Sequence, residues 1–175
     1  MVSKIPIGRS LLNSLLVAVL TTSLVIVTGS VVGYALAKMQ FKGRQFIFYV
    51  IVFTMSLPFQ VTLIPNYITM INLRMVDTYF ALVIPFAVSA FAILMFRQAF
   101  QGLPQALIDA ARLDGCNETG IIFRILWPNI KPTIVTVAIL SFIGSWNEVL
   151  WPLIVVRTEK LMTMPQLVTL FATGG

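Results

Sequence analysis

Charge is scarce in this sequence: only 10% of its 175 residues are Asp, Glu, Lys or Arg, where soluble domains carry about 25%. Histidine is absent, which removes the commonest general base and metal ligand and, with it, any Ser-His or Cys-His triad. The single cysteine, Cys116, allows no intrachain disulfide and no cysteine metal cluster. No G-x-x-x-x-G-K-S/T run occurs, so ATP phosphates cannot be cradled by that device. No metal and no cofactor is expected. What is plentiful is apolar: 58% of the chain is hydrophobic, with a mean hydropathy of +0.95. A core of this size cannot hide so much apolar surface, so lipid is the expected solvent for much of it. The net charge of +6 then reads as the cytoplasmic side of a membrane rather than as a nucleic acid interface.

Four long stretches approach or exceed the roughly 20 residues that a spanning helix needs. Leu11–Ala37 and Phe46–Leu73 carry no charge, the second interrupted by Pro58 and Pro65. Tyr79–Phe96 contains Pro85, and Pro132–Val156 contains one acid, Glu148. None alternates apolar and polar residues as barrel strands do, so helices are expected. Spans are placed at about 11–37, 46–71, 79–96 and 132–156. The first is too long for the apolar region of a signal peptide. Its Gly29, Gly33 and Ala37 are spaced by four, either a small-residue packing ladder or chance.

Direction follows from the short loops. Lys38, Lys42 and Arg44 lie close together without an acid, while the next loop holds only Arg74 and Asp77. The positive-inside rule puts the first loop in the cytoplasm, the second outside, and the polar stretch 97–131 back in the cytoplasm. Lys4 and Arg9 run against this assignment, which places them outside.

The 97–131 stretch is the longest polar segment. Pro104 suits a helix start. Ala106, Leu107, Ala110 and Ala111 are expected on one face and Gln105, Asp109 and Arg112 on another. Gly115 is expected to end the helix in the left-handed conformation, and Asn117 to cap the next, with Glu118 in its first turn. Ile121, Ile122, Ile125 and Leu126 continue that helix until Pro128 and Pro132 stop it. Such a hairpin either folds back on its own spans or docks a soluble partner.

The residues Asp109-Ala110-Ala111, three more, Gly115, nine more, then Ile125-Leu126-Trp127-Pro128 resemble the EAA loop of ABC importer permeases, E-A-A-x3-G-x9-I-x-L-P. Asp109 stands where the pattern has Glu, and Trp127 where it has Leu. Asn13-Ser14, Gly33-Tyr34-Ala35-Leu36-Ala37-Lys38, Leu57-Pro58, Ile64-Pro65, Phe96-Arg97-Gln98, Ser145-Trp146-Asn147-Glu148 and Trp151-Pro152-Leu153 are similar to the sugar-importer branch, in order along nearly the whole chain. The chain resembles a maltose-type carbohydrate ABC transporter permease.

That resemblance implies an all-α, polytopic transmembrane bundle of the MetI-like type in the bacterial inner membrane, as a single permease domain over 1–175. Such permeases usually have six spans, so the chain is expected to hold the second to fifth and to be a partial form, Gly174-Gly175 being no natural end. It implies a transport subunit rather than an enzyme, coupled to a cytoplasmic ABC ATPase dimer, a second permease subunit and an extracytoplasmic sugar-binding protein. The coupling residues it implies are Ala106, Leu107, Asp109, Ala110, Ala111, Asp114 and Gly115. Candidates for the translocation pathway are Asn147, Glu148, Gln60 and Asn66.

Alternatives stay open at several points. Glu148 faces either the bundle interior or the outer interface, with Trp146 and Trp151 as an aromatic belt. Leu57–Asn66 is either a cavity-lining interrupted helix or a plain proline kink. Residues 157–175 contact a binding protein or lie at the interface. A permease for a peptide, phosphate or amino acid would share the EAA loop. An intramembrane enzyme is hard to build without histidine.

Overall fold

The computed structural model describes residues 7–173; Lys4 and Gly174-Gly175 lie outside them. Among the described residues the regular structure is entirely helical. The α-helices are α1 (Ile7–Lys38), α2 (Arg44–Thr54), α3 (Phe59–Asn72), α4 (Tyr79–Val83), α5 (Ala90–Gln101), α6 (Gln105–Leu113), α7 (Glu118–Gly120), α8 (Trp127–Asn129), α9 (Lys131–Trp146), α10 (Leu150–Val155) and α11 (Met164–Thr173). Helix α1 is long and apolar enough to cross a membrane by itself, and up to four spans result if three bent helix pairs each count as one.

Proline marks two of the three places where the expected spans break. No proline lies within α1, which runs unbroken through Leu11–Ala37 and beyond. The expected 46–71 span divides into α2 and α3. Pro58 is the N-cap of α3, with extended backbone (φ −66°, ψ 142°), whereas Pro65 sits inside an uninterrupted α3. The break is therefore at the first proline alone. In the expected 79–96 span, a 3-10 turn, Ile84–Phe86, holds Pro85, and Ser89 then caps α5 by accepting from the Ala92 N–H. The expected 132–156 span ends as α9 at Trp146, and α10 follows.

The chain divides into two compact units: Met1–Ser23 with Pro58–Ala87 and Leu140–Gly175, and Leu24–Leu57 with Val88–Ile139. The core of the first gathers Val17, Met70, Leu82, Trp151 and Val155. Pro85 has no N–H to offer the carbonyl four residues back, Ala81. The Trp151 indole N–H donates to that carbonyl at 2.8 Å instead. Trp151 is fully buried, with its ring edge-on to Phe59 and Phe86. It belongs to the chain's own core, not to an aromatic belt. In the same unit Asn13 donates to the carbonyls of Lys160 and Met162 and accepts from the Tyr79 hydroxyl, tying residues 160–162 to α1.

The core of the second unit gathers Tyr34, Phe96, Phe100, Ile108, Ile121 and Leu126 among others. Here α1 and α5 approach closely through glycine. A Cβ on Gly33 would lie 2.8 Å from Phe96 Cβ and 2.9 Å from the Arg97 backbone nitrogen, and one on Gly29 would lie 3.0 Å from Ala92 Cβ. The small-residue ladder is thus a packing seam. Outside these cores many large apolar residues are exposed: no side chain of α2 is fully buried, and Leu12 on α1 and Ile64 on α3 are each 67% exposed. A face of this kind suits lipid or a partner helix better than water.

Candidate functional site

The 97–131 loop is built as an elbow. Helix α6 starts one residue after Pro104, whose extended backbone leads into it, and ends in a Schellman turn. Cys116 N–H donates to the Ala111 carbonyl, Gly115 N–H donates to the Arg112 carbonyl, and Gly115 sits at φ +78°. Only glycine enters that left-handed region without steric cost. The Asn117 side chain then accepts from the Gly120 N–H at 2.8 Å and caps α7. Both signals read from the sequence are realised.

The continuation differs from expectation. Residues Ile121–Leu126 form a π-helix between α7 and α8. Within it Ile121, Ile122 and Leu126 are buried, Leu126 following Ile121 by five positions, the hydrogen-bonding step of a π-turn. It also precedes Pro128, whose ring would crowd the carbonyl of Arg124 in a regular α-turn. The segment Glu118–Asn129 meets α9 at 93°, so Pro132 lies in the first turn of α9 and does not end the loop helix.

The two faces of α6 are partitioned by burial. Ile108 and Ala111 turn into the core and Leu107 is half-buried. Ala106, Asp109, Ala110 and Leu113, spaced as i, i+3, i+4 and i+7, stay exposed, as do Asp114 and Gly115. The single small-residue face expected from Ala106, Leu107, Ala110 and Ala111 is therefore split, because Ile108 outcompetes the alanines for the core. Leu113, which the sequence did not single out, is 90% exposed. Its i+7 spacing from Ala106 was the available signal.

Charges knit the elbow. Asp109 accepts from Gln105 Nε2 at 3.1 Å and lies 3.7 Å from Arg112. Across the glycine turn, Arg112 Nε donates to Glu118 Oε1 at 3.0 Å, and the Tyr34 hydroxyl donates to the other oxygen of Glu118. The bond from Arg112, followed by that from Tyr34, holds the Glu118 carboxyl below the usual range. The contact of Tyr34 with Glu118 spans 84 positions and so leaves no local signal in the sequence. Trp127, standing where the pattern has Leu, packs edge-to-face on Phe123 at 4.7 Å.

The pathway candidates lie elsewhere, in the first unit. Gln60 and Asn147 are exposed, and Asn66 and Glu148 are half-buried. Glu148 Oε1 accepts from the Trp151 N–H at 3.1 Å and so caps the start of α10. Phe59, the neighbour of Gln60, lies against Trp151 and brings the start of α3 to α10. On the 73–78 loop, Asp77 (φ +62°) accepts from the backbone N–H groups of Arg157 and Thr158. Desolvation pushes its carboxyl up, but those bonds, the Thr158 hydroxyl and the Arg157 charge outweigh it and hold the group below its ordinary value. No group of three or more His, Cys, Asp or Glu able to hold a metal occurs among the described residues.

Comparison with known proteins supplies the context. The Arabinooligosaccharides transport system permease protein AraQ of Halalkalibacterium halodurans is 42% identical over 153 residues, 87% of this chain and 55% of that protein. The sn-glycerol-3-phosphate transport system permease protein UgpE of Escherichia coli is 34% identical over 170 residues, 97% of this chain and 60% of that protein. The chain thus spans little more than half the length of these relatives. The crystal structure of a bacterial ABC transporter involved in the import of the acidic polysaccharide alginate contains a chain with a TM-score of 0.85 and 29% identity, covering 98% of this chain and 60% of that one. Residues 25–172 match the family described as binding-protein-dependent transport system inner membrane component. Carrying this family's helical fold and matching it over most of its length, the chain belongs to that family.

Proposed function

We propose that this chain forms the membrane pathway of a sugar or oligosaccharide importer, driven by a separate ATPase that docks on the exposed stripe of α6. The loop 97–131 then lies in the cytoplasm, and a second permease and an extracytoplasmic sugar-binding protein complete the importer. One observation carries the reading. Helix α6 is pinned from behind by Ile108 and Ala111 while presenting Ala106, Asp109, Ala110 and Leu113 outward. A protruding leucine beside small residues and a carboxylate is a docking surface, because small side chains let another backbone approach and the leucine anchors in a pocket. Asp114 and Gly115 set the angle of the elbow. A ligand that biases one of two states shifts the equilibrium between them, and nucleotide on the docked ATPase would do so through α6.

Sugar is preferred as cargo because the 42% identical relative is named for arabinooligosaccharides and the structural neighbour for a polysaccharide. A phosphorylated polyol is the second reading, favoured by the 34% identical relative named for sn-glycerol-3-phosphate. Gln60, Asn66, Asn147 and Glu148 are the proposed pathway residues. The test is uptake of radiolabelled arabinotriose and of glycerol 3-phosphate into cells carrying the complete importer. Ala110→Arg and Gly115→Asp are expected to leave the permease in the membrane and to stop uptake. Uptake at the normal rate in both variants contradicts the docking role, and uptake of glycerol 3-phosphate alone contradicts the sugar assignment.

A further inference from the structure

We propose that Tyr34 and Lys38 are positioning residues that clasp the α6 elbow to the end of α1, so that motion of α6 is delivered directly to that span. The proposal rests on the reading of α6 as the ATPase-docking helix. Joints flank α6 on both sides: Gly102 follows α5, and Gly115 holds its left-handed turn. Ile108 and Ala111 hold the back of α6 to the core, but apolar packing is non-directional and by itself fixes neither end of the helix. Two ties from the last turns of α1 bracket it. Lys38 Nζ donates to the Leu103 carbonyl at 2.6 Å just before α6, and the Tyr34 hydroxyl donates to Glu118 just after it. Tyr34 and Lys38 are one helical turn apart and so share a face.

The tie at Glu118 is stiff for three reasons. Its carboxylate is also held by Arg112, which belongs to α6 itself, so the bond closes the hairpin across Gly115. Hydrogen bonds to an ionised carboxylate are about twice as strong as neutral ones. The Tyr34 ring is 1% exposed and stands edge-on to Phe100 at 5.9 Å, leaving the hydroxyl little freedom to swing away. The result is a single body made of the end of α1, α6 and α7. This gives a task to the Tyr34 and Lys38 of the Gly33–Lys38 run that packing alone does not require.

The chain carries its own reporter: Cys116, its one cysteine, is exposed in the turn between Arg112 and Glu118. Spin labels on Cys116 and on a cysteine replacing the exposed Met39 measure the separation of the elbow from the end of α1. The distance is read in the full importer, first without nucleotide and then trapped with ATP and vanadate. The clasp requires the same distance in both states. It requires Tyr34→Phe, which deletes one oxygen, to widen the distribution and make the distance differ between the states. A distance that shifts in the unmutated elbow, or one that Tyr34→Phe leaves unchanged in both states, overturns the clasp. Ala110→Arg separates this outcome from failure of the docking reading. If that variant still captures the ATPase, docking is wrong; if capture is lost while the unmutated distance shifts, only the clasp is wrong.

Discussion

At Pro85, an absent hydrogen is answered by a side chain 66 positions away. The Ala81 carbonyl that a regular helix would pair with residue 85 is taken by the Trp151 indole at 2.8 Å. Trp151→Phe keeps most of the buried ring surface but removes the donor. An unpaired buried carbonyl costs about 1–3 kcal/mol, so the variant is expected to melt at a lower temperature in detergent while its capture of the ATPase is unchanged. An unaltered melting midpoint would show that the carbonyl finds another partner. Sequence could not have disclosed this bond, since Trp151 reads equally well as an interfacial tryptophan. Gly115 and Asn117 were legible because a helix stop and a helix cap are local events, settled within four residues. Ala111 and Leu113 were not, because the choice of which α6 residues face inward was made by Ile108 and by the core it enters.

Among the elements, the first span was legible to within a few residues, because nothing in Ile7–Lys38 opposes a helix and Lys38 closes it. The others were legible as apolar runs but not as the bent pairs they form. Pro58 breaks the second run and Pro65 does not, a difference that depends on where each proline falls relative to a helix start. The π-helix at Ile121–Leu126 left no trace in the pattern, since its buried Ile121, Ile122 and Leu126 also share one face of an ordinary α-helix. The seam between α1 and α5 yields a sharper expectation. Gly33→Ala puts a methyl group 2.8 Å from Phe96 Cβ and 2.9 Å from backbone, where neither atom can yield without moving a helix. Overpacking of this kind costs about 1–3 kcal/mol. Gly144→Ala on α9 meets nothing within 4 Å and is expected to be neutral or slightly stabilising, because Ala is the better helix former. Thermal melts of the two variants side by side check the seam. Equal stability of both would contradict it.

Across the whole molecule, apolar side chains are turned outward on α1, α2, α3 and α9, while Ser10, Asn13 and Ser14 are buried. Apolar residues thus fill the core and cover much of the surface as well, as the scarcity of charge already implied. The longest polar segment forms an elbow between spans, where a buried side packs against the chain and the other side is exposed. The family match over 25–172 takes in both compact units and the elbow. The decisive question is whether that exposed side holds an ATPase. The most direct measurement is affinity capture of the ATPase subunit by the tagged permease from detergent-solubilised membranes, comparing the native chain with Leu113→Asp and Ala110→Arg. The docking account requires stoichiometric capture by the native chain and its loss in both variants, with permease levels unchanged. Full capture by both variants would contradict it.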